Sequence, residues 1–206
     1  MLLKIFSENP DPRKIQMVLE CLRDGGVIIY PTDTVYSIGC DMLQIKSIER
    51  VAAIKGLRAD KANFSVIFND LKLISDYTRP FNTEIYKLMK KALPGPFTFI
   101  LNASNKVPKI FQNRKKTIGI RVPDNLIARQ LVEEYGNPLI STSVYDEDEI
   151  LEYTTDPELI HEKYVNMVDI VIDGGYGDNV ASTVIDCTTD SIEVVRQGKG
   201  DLDLFL

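Results

Sequence analysis

The sequence is poor in the side chains that hold metals and disulfides. It has one histidine, His161, and three cysteines, Cys21, Cys40 and Cys187, far apart in the chain. Three scattered thiols without ligand spacing argue against a disulfide framework and against a zinc site. With one histidine, set in the polar helical stretch DPELIHEKY, a Ser-His-Asp hydrolase is improbable, and no G-x-S-x-G elbow is present. The familiar phosphate-binding loops, G-x-x-x-x-G-K-[ST] and G-x-G-x-x-G, are missing as well. The Gly-rich GGYGDN at 174–179 follows VID and reads as a turn. No apolar run approaches the roughly 18–20 residues that span a bilayer. The opening MLLKIFSENPDP is too short for a signal-peptide core. A cytoplasmic protein with no membrane partner is therefore expected. Repeats, low-complexity tracts and Gly/Ser-rich linkers are lacking, so one domain over residues 1–206 is the simplest organisation.

What is present is an ordinary globular composition, 44% hydrophobic and 26% charged, enough for a real core. Net charge is −6 but unevenly spread: residues 1–129 carry 21 Lys and Arg against 12 Asp and Glu, and residues 130–206 carry 3 against 18. That asymmetry predicts one basic cleft or face and one acidic end. YDEDEILEYTTD at 145–156 reads as an exposed acidic loop, a candidate docking site for a protein partner.

Hydrophobic periodicity supplies the elements. Asp11-Pro12 caps a helix with Ile15, Val18, Leu19 and Leu22 on one face, stopped by Gly25-Gly26. VIIY is a strand, followed by the polar loop of YPTDTVYSIG. Further helices are expected at KSIERVAAIKG, NTEIYKLMKKAL and DNLIARQLVEEYG, the last capped by Asp124. Strands are expected at FSVIF, PGPFTFIL, TIGIRV, PLIST, VDIVID, STVIDC and SIEVV. The alternation predicts an α/β or mixed α+β fold, a sheet flanked by helices.

Polar groups follow the strand ends: Thr32-Asp33-Thr34 after VIIY, Ser141-Thr142-Ser143 after PLI, Arg121 after TIGI, Arg196 after SIEVV. Ligands of open sheets bind beyond strand carboxyl ends. Hydroxyls beside arginines suit a phosphate or carboxylate. The residues alone therefore suggest an anionic ligand such as a nucleotide. The same hydroxyls also suit a plain turn or a backbone contact.

The ordered set GGVIIYPTDTVYSIGCD, AAIKG, PGPFTFIL, KTIGIRVPDN, PLISTS, STVIDCT and VVRQGKGD resembles the YrdC-like threonylcarbamoyl-AMP synthases over nearly the whole chain. Ser37, ANFSVIF, STS and the closing GDLDLFL resemble the YciO-like branch, described as RNA-binding or translation proteins. The resemblance implies a single twisted mixed sheet flanked by helices, YrdC/RibB-like, around a concave basic cleft. It implies a nucleotidyltransferase-type reaction of ATP, threonine and bicarbonate giving threonylcarbamoyl-AMP and pyrophosphate, for tRNA modification. ATP enters with magnesium as substrate, with no tightly bound cofactor and no protein metal site. Carried over by position, Thr32, Thr34, Tyr36 and Arg121 handle the amino acid. Lys55 and Arg58 serve catalysis. Lys55, Ser141, Ser143, Ser182, Thr183 and Arg196 bind the nucleotide. The family's K-x-R reads Lys55-Gly56-Leu57 here, with Arg58 one position late, and its S-x-N reads Ser143-Val144-Tyr145. The alternative is a non-catalytic double-stranded RNA or tRNA binder using Lys87, Lys90, Lys91, Lys115 and Lys116 on nucleic-acid backbone.

Overall fold

The computed structural model describes residues 1–109, 116–144, 154–189 and 191–205. Its frame is a mixed sheet of ten strands: β1 (Leu2–Lys4), β2 (Ile28–Tyr30), β3 (Ser37–Gly39), β4 (Ser65–Ile67), β5 (Phe97–Asn102), β6 (Thr117–Arg121), β7 (Leu139–Ser143), β8 (Ile170–Asp173), β9 (Thr183–Asp186) and β10 (Glu193–Arg196). They lie in the order β1-β8-β2-β3-β7-β4-β6-β5-β9-β10. Parallel pairs β1·β8, β2·β8, β4·β6 and β5·β9 mix with antiparallel ones. Two strands go beyond the sequence reading. β1 is three residues long, too short for a periodic signal. β3 lies within the stretch read as a loop, where Ile29 pairs with Ile38 in an antiparallel hairpin with β2.

Among the described residues six α-helices flank the sheet: α1 (Pro12–Arg23), α2 (Ile45–Ile54), α3 (Ile74–Tyr77), α4 (Thr83–Ala92), α5 (Leu126–Tyr135) and α6 (Pro157–Tyr164). Their starts follow capping chemistry. Asp11 accepts from Arg13 N (2.9 Å) ahead of Pro12, and Asn82 accepts from Ile85 N (2.8 Å). The cap of α5 is Asn125 rather than Asp124, because the Asn125 side chain accepts from Ala128 N (3.1 Å). Gly136 ends that helix at φ +85°, a left-handed conformation that costs a glycine little.

Alternation along the strands sends side chains to two faces. One face carries Val66, Phe97, Phe99, Ile118, Ile120, Ile140 and Ile185, buried under α2, α4 and α6 in the larger core. On the other face, Ile28, Tyr30, Ile67, Leu139 and Ile172 pack against α1 and α5. Those two helices cover only the β1-to-β7 half. Beyond Ile67, over the Ser65 end of β4 and over β6, β5, β9 and β10, the same face stays open, and there the strands carry polar residues.

A polar cavity on the open half-sheet

The open face is the floor of a cavity of about 790 Å³, within the range of small-ligand sites. Its floor is ordered in rows by strand register. One row runs Ser141, Ser65, Gly119, Ile100, Asp186 and Glu193, each opposite the next on neighbouring strands. Five strand spacings make it roughly 24 Å long. In the next row Arg121 faces Ile67, Thr98 faces Val184, and Val184 faces Arg196. Gly119 keeps the floor low: a Cβ there would stand 3.3 Å from both Ser65 Cβ and Thr98 Cγ2.

Arg196 reaches this face because β10 is irregular. The register shifts between Val194 and Arg196, a bulge that re-aims the strand. Strict alternation from Glu193 would turn Arg196 away from the cavity. Arg196 Nη2 donates to Ser182 O (2.8 Å), and Ser182 Oγ lies 2.8 Å from Thr98 Oγ1.

Arg121 is 5% exposed. Its Nη2 donates to Asp33 Oδ1 (3.0 Å) and Thr34 Oγ1 (2.9 Å). Burial pulls the guanidinium below its usual range, and the Asp33 carboxylate opposes that pull. It stays charged at any physiological pH. Three buried polar atoms at this end have no hydrogen-bond partner: Arg121 Nε, Asp33 Oδ2 and Ser141 Oγ. Such atoms are costly unless something answers them. Tyr30, beside Ser141, is raised above the ordinary phenol range by burial.

The sequence-predicted residues divide. Thr34, Arg121, Ser141, Ser143, Ser182 and Arg196 line one cavity. Thr32 instead lines a shallower recess on the other side of the 32–34 loop. Its Oγ1 donates to Val35 O (2.8 Å) and accepts from Thr34 N (3.1 Å), which is turn chemistry. Tyr36 does not wall the cavity. Its hydroxyl donates to Gly175 O (2.6 Å) and accepts from Gly174 N (3.1 Å), pinning the 174–177 turn. Thr183 points to the opposite face from Ser182, where its Oγ1 donates to Gly200 O (2.8 Å) and accepts from Gly198 N (2.9 Å). Lys55 closes α2 as its C-cap, outside the cavity lining. Arg58 is turned into a two-bond pair with Asp60, Nε–Oδ1 3.0 Å and Nη2–Oδ2 3.2 Å. Lys87, Lys90 and Lys91 are exposed on α4, on the far side of the sheet. Lys116 is exposed at the start of β6, whereas Lys115, Tyr145 and the acidic residues 146–152 lie outside the described residues.

The cavity is thus not uniformly basic. Among the described residues its lining carries two arginines and two carboxylates, Asp186 and Glu193. Most cations of the first 129 residues are elsewhere: Arg50 pairs with Asp169, Lys72 with Asp70 and Lys106 with Asp76. Ser65, Thr98, Asn102, Asp186 and Glu193 also line the cavity and are absent from the sequence-predicted set. The signal was available in FTFILN, TIGIR and STVID, where Thr98/Asn102, Thr117/Arg121 and Ser182/Asp186 sit at period-two positions facing away from an apolar core. No thiol lines the cavity, and burial pushes Cys21 up to about 11 and Cys187 up to about 12. Among the described residues no three His, Cys, Asp or Glu side chains are grouped to hold a metal ion, and no helix is long and apolar enough to cross a membrane.

Two arginines and a fringe of hydroxyls line the open half of the mixed sheet, a donor set that suits anionic oxygens. The Sua5/YciO/YrdC family model, described as telomere recombination, matches residues 20–198, and the chain belongs to this family. Escherichia coli YciO is 42% identical over 204 residues, covering 98% of this chain and 97% of that protein. Its crystal structure superposes with a TM-score of 0.92, covering 100% and 99% of the two chains. A threonylcarbamoyl-AMP synthase of Coxiella burnetii is 32% identical over 173 residues, 84% of this chain and 91% of that one. P. abyssi Sua5, solved with L-threonine, gives a TM-score of 0.91 at 26% identity, over 100% of this chain and 59% of that one.

Proposed function

We propose that the cavity holds an adenine nucleotide and an amino acid and joins them slowly into a carbamoyl-adenylate, threonylcarbamoyl-AMP. The observation that carries this reading is the Arg121–Arg196 pair on one cavity floor with the Ser141 and Ser182 hydroxyls between and beside them. The family relation to threonylcarbamoyl-AMP synthases and to a threonine-bound Sua5 supports this choice of substrates. Threonine's amine takes up bicarbonate with loss of water to give a carbamate. A carbamate oxygen then attacks the α-phosphorus of ATP, the Pα–O bond to the β-phosphate breaks, and pyrophosphate leaves. In this reading Arg121 meets the amino-acid carboxylate and Arg196 the charge growing on the α-phosphate, where fixed donors lower the barrier. Magnesium enters with ATP as substrate, held by phosphate oxygens and water.

Slow turnover follows from the 55–60 segment. Arg58 is engaged by Asp60, and Leu57, at the place where the synthases carry arginine, is 49% exposed and has no charge to give. A missing donor at a transferring phosphoryl group costs roughly 10²–10³ in rate.

Calorimetric titration of ATP and of AMP tests the site. Arg196→Ala is expected to weaken both by roughly tenfold or more, the value of one charge-assisted hydrogen bond, with the unfolding midpoint nearly unchanged. A wild-type protein that binds neither nucleotide overturns the reading.

A second reading, RNA binding without catalysis, is favoured by one observation: Lys87, Lys90 and Lys91 stand exposed together on α4. It places RNA on the face opposite the cavity. Charge reversal of these three lysines is then expected to lower affinity for duplex RNA and flatten its salt dependence, leaving nucleotide titrations unaltered. Duplex affinity indifferent to the reversal removes this reading.

A further inference from the structure

We infer that Lys199 is a positioning residue: it clasps the Asp33–Thr34 loop from behind the cavity and so fixes where Arg121 meets the ligand's carboxylate. The inference rests on the amino-acid half of the reading above and adds a residue that touches no ligand.

The contacts run outward from the cavity in sequence. Arg121 Nη2 is held by the side chains of Asp33 and Thr34, at 3.0 and 2.9 Å. The backbone carbonyls of the same two residues are held in turn. Lys199 Nζ donates to Asp33 O (2.8 Å), and Asp178 N donates to Thr34 O (3.2 Å). Lys199 and Asp178 are joined to each other, Nζ to Oδ2 at 2.7 Å. Asp178 is itself oriented, because its Oδ1 accepts from Asn179 N (2.7 Å) and Val180 N (3.0 Å). The hydrogen bond from Lys199 draws its carboxyl below the usual carboxylate range, so it is ionised at neutral pH. Lys199 and Asp178 line the recess behind the loop and not the cavity.

The backbone under Lys199 is fixed before its side chain reaches out. Thr183 Oγ1 brackets it, accepting from Gly198 N (2.9 Å) and donating to Gly200 O (2.8 Å), while Lys199 N donates to Ala181 O (2.8 Å). Gly198 approaches this stretch so closely that a Cβ there would collide with Ala181 O. The same stretch holds the other arginine, since Arg196 Nη2 donates to Ser182 O (2.8 Å). Residues 181–183 are thus a common base. Arg196 is set from it directly, and Arg121 through Lys199, Asp33 and Thr34. The separation of the two guanidiniums follows from that base. A misplacement of about 1 Å can cost roughly 10²-fold in rate, so a clasp this far from the ligands still bears on how they meet.

The test uses full-length protein with Lys199→Met, Lys199→Arg, Asp178→Asn and the double variant Lys199→Met/Asp178→Asn. The two side chains are 43% and 30% exposed, so no variant strands a buried charge, and unfolding midpoints are expected to stay near wild type. Threonine and AMP are titrated separately by calorimetry. Lys199→Met is expected to weaken threonine by roughly tenfold, with AMP, assigned to Arg196, unchanged. Lys199→Arg keeps the charge and the donors and is expected to bind threonine as the wild type does. Asp178→Asn keeps an acceptor for Asn179 and Val180 but loses the ion pair. The double variant is expected to be no worse than Lys199→Met alone, the mark of one clasp rather than two separate contacts. Threonine affinity that Lys199→Met leaves unchanged, or threonine and AMP weakened together with a lowered unfolding midpoint, overturns this inference alone. A wild type that binds no threonine overturns it together with the reading it rests on.

Discussion

Arg121→Met is expected to cost about 3–5 kcal/mol of stability, the usual cost of removing one partner from a buried ion pair. Asp33 and Arg121 side chains are only 9% and 6% exposed, with 3.0 Å between Asp33 Oδ1 and Arg121 Nη2. Methionine fills much of the arginine's volume, so the loss is electrostatic: Asp33 is left as a buried carboxylate without its cation. A small domain has about 5–15 kcal/mol in total, so the variant sits close to unfolding. The compensating change follows from the same cause. Asp33→Asn added to Arg121→Met removes the stranded charge, and most of the lost stability is expected to return. Urea midpoints of the four proteins close the double-mutant cycle. A single variant that loses less than about 1 kcal/mol contradicts the buried pair. Ligand binding separates the two roles of Arg121: the double variant folds, yet it is expected not to bind threonine, because the carboxylate's partner is gone.

The second large effect is a gain. Leu57→Arg is expected to raise threonine-dependent pyrophosphate release by roughly 10²-fold. Leu57 is 49% exposed, so the change disturbs no core packing. It restores a guanidinium two positions after Lys55, the spacing of the K-x-R element in the synthases that this chain resembles. Asp60→Ala addresses the same segment differently. It frees Arg58 from its two-bond pair and is expected to give a smaller gain, since Arg58 is then mobile rather than placed. Rates for both variants no higher than wild type contradict this account of slow turnover.

The fold was legible where period and caps agree. In Pro12–Arg23 the apolar positions, the Asp11 cap and the Pro12 start all point one way, and the helix stands where they place it. β3 was not legible. Ser37–Gly39 sits just after the Thr32–Thr34 turn, and its pairing with Ile28–Tyr30 and with β7 is set by distant chain. For the cavity lining, strand-end polar residues marked Thr34, Arg121, Ser141 and Ser143, and the family resemblance added Ser182. Strand alternation also marks Asp186, but only once STVID is known to have one face open. Arg196 lines the cavity for a reason that strand-end position does not carry. Its orientation depends on the β10 bulge, which no local pattern in SIEVVR announces. Thr32 and Thr183 show the converse: hydroxyls at suggestive places whose bonds go to the backbone of Val35 and Gly200. The charge asymmetry misled in another way, because linear segments of charge do not map onto one face when helices such as α4 carry them behind the sheet.

In the proposed function this cavity activates an amino acid as a carbamoyl-adenylate. Pyrophosphate release by the purified protein, given ATP, magnesium and bicarbonate with and without threonine, tests it most directly. The expected result is slow release that requires threonine, falls in Arg196→Ala and rises in Leu57→Arg. Release that ignores threonine, or none in any of these proteins under conditions where ATP is bound, contradicts it.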